Sequence, residues 1–158
     1  MQLYLSFKEI FSCFMVLFAI IDITGSIPIF IGLKSKGRSI NAVQASISSL
    51  IIGVVFLFLG EVILSLFGVD IQAFAVAGAL IILAMAVEMI FGVELFKNDG
   101  PSDSATIVPV IFPLIIGTGV MTTLLSLRAE YGILNIIIAF LINIIIVYIV
   151  LSQLDRIE

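Results

Sequence analysis

Five long apolar segments, at about residues 10 to 33, 43 to 67, 71 to 93, 107 to 127 and 132 to 152, leave this chain little choice of fold. A helix needs about 20 apolar residues to cross the roughly 30 Å hydrocarbon layer of a bilayer, and every segment reaches that length. Short polar breaks separate them: Lys34 to Ser39, Gly68 to Asp70, Lys97 to Asp103 and Arg128 to Gly132. Connections this tight join antiparallel neighbours. The expected class is all-α, a polytopic membrane helix bundle of five spans, forming a single transmembrane domain over residues 1–158.

Composition agrees and narrows the function. Of 158 residues, 62% are apolar and 11% charged, where soluble domains average about 25% charged. Five spans consume nearly the whole chain, so no soluble catalytic domain is expected. The net charge of −4 gives no basic surface for nucleic acid. A single cysteine, Cys13, and the absence of histidine exclude disulfide frameworks, Cys/His zinc sites and His-based triads. No resident cofactor or metal and no enzyme activity are expected. Lys8 is followed at once by Glu9, and the apolar run continues for more than 20 residues, so this segment reads as a first membrane helix rather than a cleaved signal. Placing Lys34, Lys36, Arg38, Lys97 and Arg156 inside, against Lys8 and Arg128 outside, puts the N-terminus outside a multi-pass cell-membrane protein.

Asp22 lies near the middle of segment one. A carboxylate at the bilayer centre costs about 2.5–3.5 kcal/mol even on the gentlest scale, so it is expected to face protein or a watery cavity. Gly25 permits non-helical dihedrals, and Pro28 lacks an N–H and crowds the carbonyl of Thr24. The helix is expected to break there. Segment four carries Pro109 and Pro113, then Gly117-Thr118-Gly119, and is expected to break as well. Aligning Thr24-Gly25 with Thr118-Gly119 also superposes Phe18 on Phe112. Paired Gly/Pro interruptions in two halves are the best sequence pointer to a transporter site.

Three spans after segment one, segment four crosses in the opposite direction. The expectation is an inverted 3+3-type repeat, with a first unit at 8–94 and an incomplete second unit at 106–154. If the breaks converge, half-helix N-termini suit a carboxylate, while freed carbonyls and the hydroxyls of Thr24, Ser26, Thr118 and Thr122 suit an ammonium group or a cation. A small zwitterion would be satisfied at both ends.

Elsewhere, Ser46, Ser49, Gly53 and Gly60 line one face of segment two, and Ala75, Gly78 and Ala79 recur in segment three, which reads as close helix packing. The isoleucine-rich fifth segment suits a lipid-facing or peripheral position, with Asn143 bonding a neighbouring helix. Glu61 and Glu88 lie within reach of interfacial water. A cavity-facing Glu88, with Asp22, is a candidate for carrying a coupling proton.

The stretch Phe18-Ala19-Ile20-Ile21-Asp22-Ile23-Thr24-Gly25-Ser26-Ile27-Pro28-Ile29-Phe30 resembles the first-helix motif of the MarC family of integral membrane proteins, roughly Asp-Pro-x-Gly-x-x-Pro-x-Phe. Residues 108–119, from Val108-Pro109 through Phe112-Pro113 to Gly117-Thr118-Gly119, resemble that family's second motif, roughly Pro-x-x-x-Pro-x-x-x-Gly-Pro-Gly. Residues 77–89 are similar to its third helix. Ile23 and Thr118 stand where the family pattern has proline. Family members usually have six spans, so the resemblance implies that the sixth helix is missing here, through truncation or because a neighbouring copy supplies that wall in a homo-oligomer.

The resemblance implies transport of small neutral amino acids of the glycine and alanine class, with Asp22, Gly25, Pro28, Pro113, Gly117 and Gly119 as the positions carried over. Thr24, Ser26, Thr118 and Thr122 join them from the residues alone. The coupling ion is left open between a proton and sodium. A passive channel and a degenerate membrane protein without transport activity are the competing readings. An intramembrane enzyme using Asp22 and Glu88 lacks any accompanying metal or nucleophile motif.

Overall fold

A computed structural model describes residues 5–35, 40–91 and 114–157. The described residues form six helices: α1 (Phe7–Ile21), α2 (Ile27–Ser35), α3 (Ala42–Leu66), α4 (Ile71–Phe91), α5 (Thr118–Glu130) and α6 (Ile133–Ile157). Among them, Ala42–Leu66 and Ile133–Leu154 are long and apolar enough to cross a membrane by length and composition. The helix starts follow capping chemistry. Ser6 Oγ accepts from Glu9 N at 3.4 Å, Asn41 Oδ1 from Gln44 N at 3.0 Å and Asp70 Oδ1 from Ala73 N at 2.6 Å. Gly68, at φ 64°, closes α3, and Val69 N returns to Leu64 O at 3.0 Å.

Segment one is two helices rather than one, with the interruption at Asp22 to Ser26. Pro28 is the second residue of α2, where a missing N–H deprives the helix of nothing. The polar break between segments four and five is shorter than its composition suggests. The stretch Arg128-Ala129-Glu130 continues α5, Tyr131 N bonds Leu127 O at 2.8 Å, and two residues then lead into α6. Ala and Glu are good helix formers, and a cation suits a helix C-terminus.

Two hydrogen bonds fix the direction of α6 relative to α1. Ser6 N donates to Asn135 Oδ1 at 3.2 Å, and Asn143 Nδ2 donates to Phe14 O at 3.2 Å, both at a separation of 129 residues. A constant offset means that the two helices run parallel. The opposite holds for α5. Gly132, just past its end, donates to Glu9 Oε2 near the start of α1, while Gly119, at its beginning, meets Ile20 near the end of α1. α1 and α5 therefore lie antiparallel.

The isoleucine-rich α6 is not peripheral. It packs against α1, α3 and α5 and buries Ile136, Ala139, Phe140, Asn143, Ile144 and Val147, leaving Ile142, Ile145 and Ile149 outside. Buried amides on one face, rather than isoleucine content, mark its inward side. The small-residue face of α3 is buried, and Phe140 of α6 lies over Gly53 so closely that an added β-carbon would strike its ring. α4 packs chiefly against α5. Ala79 is exposed, and Phe74 stacks on Phe56 of α3 at 5.7 Å. Cys13 is buried.

Candidate functional site

The first break is organised by Asp22 itself. Its backbone takes the left-handed conformation, φ 41° and ψ 51°, which stops α1 after the bond from Asp22 N to Phe18 O at 3.1 Å. Asparagine and aspartate tolerate this region better than other residues with a β-carbon. Its carboxylate then turns back over the next residues: Oδ1 accepts from Gly25 N at 3.2 Å and from the Thr24 hydroxyl at 3.4 Å. Its carbonyl accepts from Ser26 N at 3.2 Å and from the Ser26 hydroxyl at 3.1 Å. Asp22 thus ends one helix and templates the next.

Gly25 serves the break in a different way from the one its flexibility suggests. The left-handed residue is Asp22, and Gly25 is needed for room. A β-carbon on Gly25 would lie 2.9 Å from Asp22 Cγ. Asp22, Thr24, Gly25 and Pro28 are exposed on the protein surface, and Ser26 is half-buried. Ile21 and Ile23, on either side of Asp22, are buried and pin the turn.

The second break is of another kind. Leu114 and Ile115 make a π-type turn, Ile116 bends, and Gly117 opens α5 in an extended conformation with no side-chain cap. Gly117 has no side chain with which to cap the first-turn N–H groups of α5. Thr118 is buried, and the half-buried Thr122 hydroxyl donates to Thr118 O at 2.8 Å and Gly119 O at 3.1 Å. The Thr122 oxygen keeps its lone pairs for a donor.

The breaks meet. A β-carbon on Gly119 would lie 3.4 Å from Ile20 Cγ2, two residues before Asp22. The negative end of the α1 dipole and the positive end of the α5 dipole therefore stand side by side, with Asp22 next to them. Asp22, Thr24, Gly25 and Ser26 occupy the first break, with Pro28 in the first turn of α2; Gly117 precedes α5, and Thr118, Gly119 and Thr122 lie in its first two turns. Pro113 and the Glu88 side chain lie outside the described residues. Among the described residues no group of His, Cys, Asp and Glu is arranged to hold a metal ion.

Two polar features escaped the sequence. Glu9 Oε2 accepts from Asn135 Nδ2 at 2.7 Å and from Gly132 N at 3.4 Å, clasping the start of α1 to the α5–α6 turn. Arg128 Nη1 donates to Leu57 O at 2.9 Å and Phe58 O at 3.3 Å across the α5–α3 seam. Neither contact has a local sequence signal, since each joins residues far apart in the chain. A shallow depression of about 480 Å³ between the end of α3 and the start of α4 holds Glu61 and Asp70. It is open, and the Asp70 carboxylate there is engaged in capping α4.

The family model described as MarC family integral membrane protein matches residues 7–157, nearly the whole chain. The chain belongs to the MarC family of integral membrane proteins. Among its relatives, the UPF0056 membrane protein YhcE of Escherichia coli is 30% identical over 155 residues, covering 90% of this chain and 72% of that protein. A UPF0056 membrane protein of Buchnera aphidicola subsp. Schizaphis graminum is 32% identical over 129 residues, covering 78% and 66%. The UPF0056 inner membrane protein YhgN of Escherichia coli is 30% identical over 130 residues, covering 78% and 66%. The chain thus spans about two thirds of the length of these MarC-type relatives. Their names state a membrane location and no substrate. No solved structure matches the chain.

Proposed function

We propose that this MarC family protein is a secondary transporter of small neutral amino acids, rather than an enzyme, and that it binds its substrate where the two breaks meet. The observation that carries the reading is the contact between Ile20 and Gly119, which sets the carbonyl end of α1 beside the N–H end of α5. In this reading the substrate carboxylate takes the first-turn N–H groups of α5 at Gly117, Thr118 and Gly119. The ammonium group takes the freed carbonyls of the last turn of α1 and the Asp22 carboxylate, with the hydroxyl oxygens of Thr24, Ser26 and Thr122 as further acceptors.

The remaining architecture is part of the same proposal: five spans with the N-terminus outside, related as an inverted 3+3-type repeat. A proton or a sodium ion supplies the driving force, with Asp22 and Glu88 as the carboxylates available to it. Reconstituted vesicles decide the matter. Labelled glycine or alanine should accumulate against its gradient when a proton or sodium gradient is imposed, and one of the two ions should be required. Flux that only equilibrates would make the protein a passive channel. No flux, together with no thermal stabilisation by amino acids in detergent, would make it a membrane protein without substrate.

A further inference from the structure

At the end of α5 remote from Gly117, one side chain reaches across to α3. Arg128 sits in the last turn of α5 and donates from Nη1 to two consecutive carbonyls of α3, those of Leu57 and Phe58. One turn earlier on α5, Leu125 reaches the position on α3 where a glycine allows approach: a β-carbon on Gly60 would lie 3.1 Å from Leu125 Cδ2 and 2.8 Å from Phe56 Cδ1. The two contacts form a pair, one steric and one polar. The steric contact lets the helices come together.

The guanidinium is different, because a planar donor held on two fixed carbonyls has a defined axial position. A charge among apolar helices is costly when isolated, whereas one paired with helix carbonyls and lying at a helix C-terminus is accommodated. Displacing α5 along its axis would break both bonds and would carry Gly119 away from Ile20.

We propose that Arg128 is a positioning residue that fixes the axial setting of α5 against α3 and thereby holds the second break in register with the first. Its bearing on transport rests on the function proposed above, but the geometry is tested without it. In a Cys13→Ser background, Ile20→Cys and Gly119→Cys place two thiols at the junction of the breaks for oxidative cross-linking in membranes. With Arg128 present, the disulfide should form readily. With Arg128→Gln or Arg128→Met, it should form about tenfold more slowly, the change expected when a charge-assisted hydrogen bond is lost. Arg128→Lys, with shorter reach and a single ammonium, should fall between arginine and glutamine. Parental cross-linking rates in the glutamine and methionine variants would overturn the proposal. If neither of these is monodisperse in detergent, a parental rate in the lysine variant would overturn it. Loss of cross-linking with no transport in the parent would uphold the anchor and refute the transporter, so the two failures are distinguishable.

Discussion

The Asp22 carboxylate occupies the space in which a β-carbon on Gly25 would stand, and Gly25 in turn donates its N–H to that carboxylate. Each residue therefore requires the other's chemistry. Gly25→Ala should expel the carboxylate, break its bonds to Gly25 N and the Thr24 hydroxyl, and cost about 1–2 kcal/mol, the usual range for a lost helix cap. Thermal unfolding in detergent reads this directly. An alanine variant as stable as the parent would mean that the turn has another arrangement of equal energy.

Substitutions at Asp22 separate shape from charge. Asparagine tolerates the left-handed conformation and keeps a side-chain oxygen for Gly25 N, so Asp22→Asn should retain most of the stability. Asp22→Ala loses the cap and strains the backbone, and should cost about 1–2 kcal/mol. Both should abolish uptake of labelled glycine or alanine in vesicles if the charge receives the substrate or the coupling ion. Normal uptake by the stable asparagine variant would reduce Asp22 to a structural hinge.

The features legible in the sequence were those with a local cause. Proline and glycine placed an interruption at Asp22 to Ser26, and the stripe of Ser46, Ser49, Gly53 and Gly60 marked the buried face of α3. The finer assignment of roles was not legible. Gly25 reads as a flexible residue until the carboxylate beside it is seen, because composition does not say which residue of a turn will be left-handed. The isoleucines of α6 suggested a peripheral helix, yet isoleucine packs equally well against lipid and protein. What fixes the side of α6 is Asn135 and Asn143, both buried. The bonds from Arg128 and Glu9 span 71 and 123 residues and have no periodicity to betray them. At the candidate site, the residue types were visible early, while the adjacency of Ile20 and Gly119 belongs to the tertiary structure.

The contact between Gly53 and Phe140 yields a third expectation. A β-carbon on Gly53 would enter the Phe140 ring, which has no free space to move into because it is buried between α3 and α6. Gly53→Ala should therefore cost about 1–3 kcal/mol through overpacking. Adding Phe140→Leu should recover part of that loss, so the double variant should be more stable than the sum of the singles implies. Strict additivity would show that the two helices separate easily at this point.

The two amides of α6 should differ in what they contribute. Asn143 donates only to backbone carbonyls, those of Phe14 and Ala139, whereas Asn135 donates to the Glu9 carboxylate at 2.7 Å. Neutral interhelical bonds in membrane proteins average about 0.6 kcal/mol, because the separated helices find other partners. Bonds to a charged group are worth about 1.5–3 kcal/mol, and removal of Asn135 also leaves a half-buried carboxylate short of a donor. Asn135→Leu should thus destabilise the protein more than Asn143→Leu in detergent unfolding. Neutralising the acceptor should narrow the difference: in a Glu9→Gln background, Asn135→Leu should exceed Asn143→Leu by less than it does in the parent. If the gap is undiminished in that background, the larger cost at Asn135 comes from its bond with Ser6 N or from packing against α1 and not from the carboxylate.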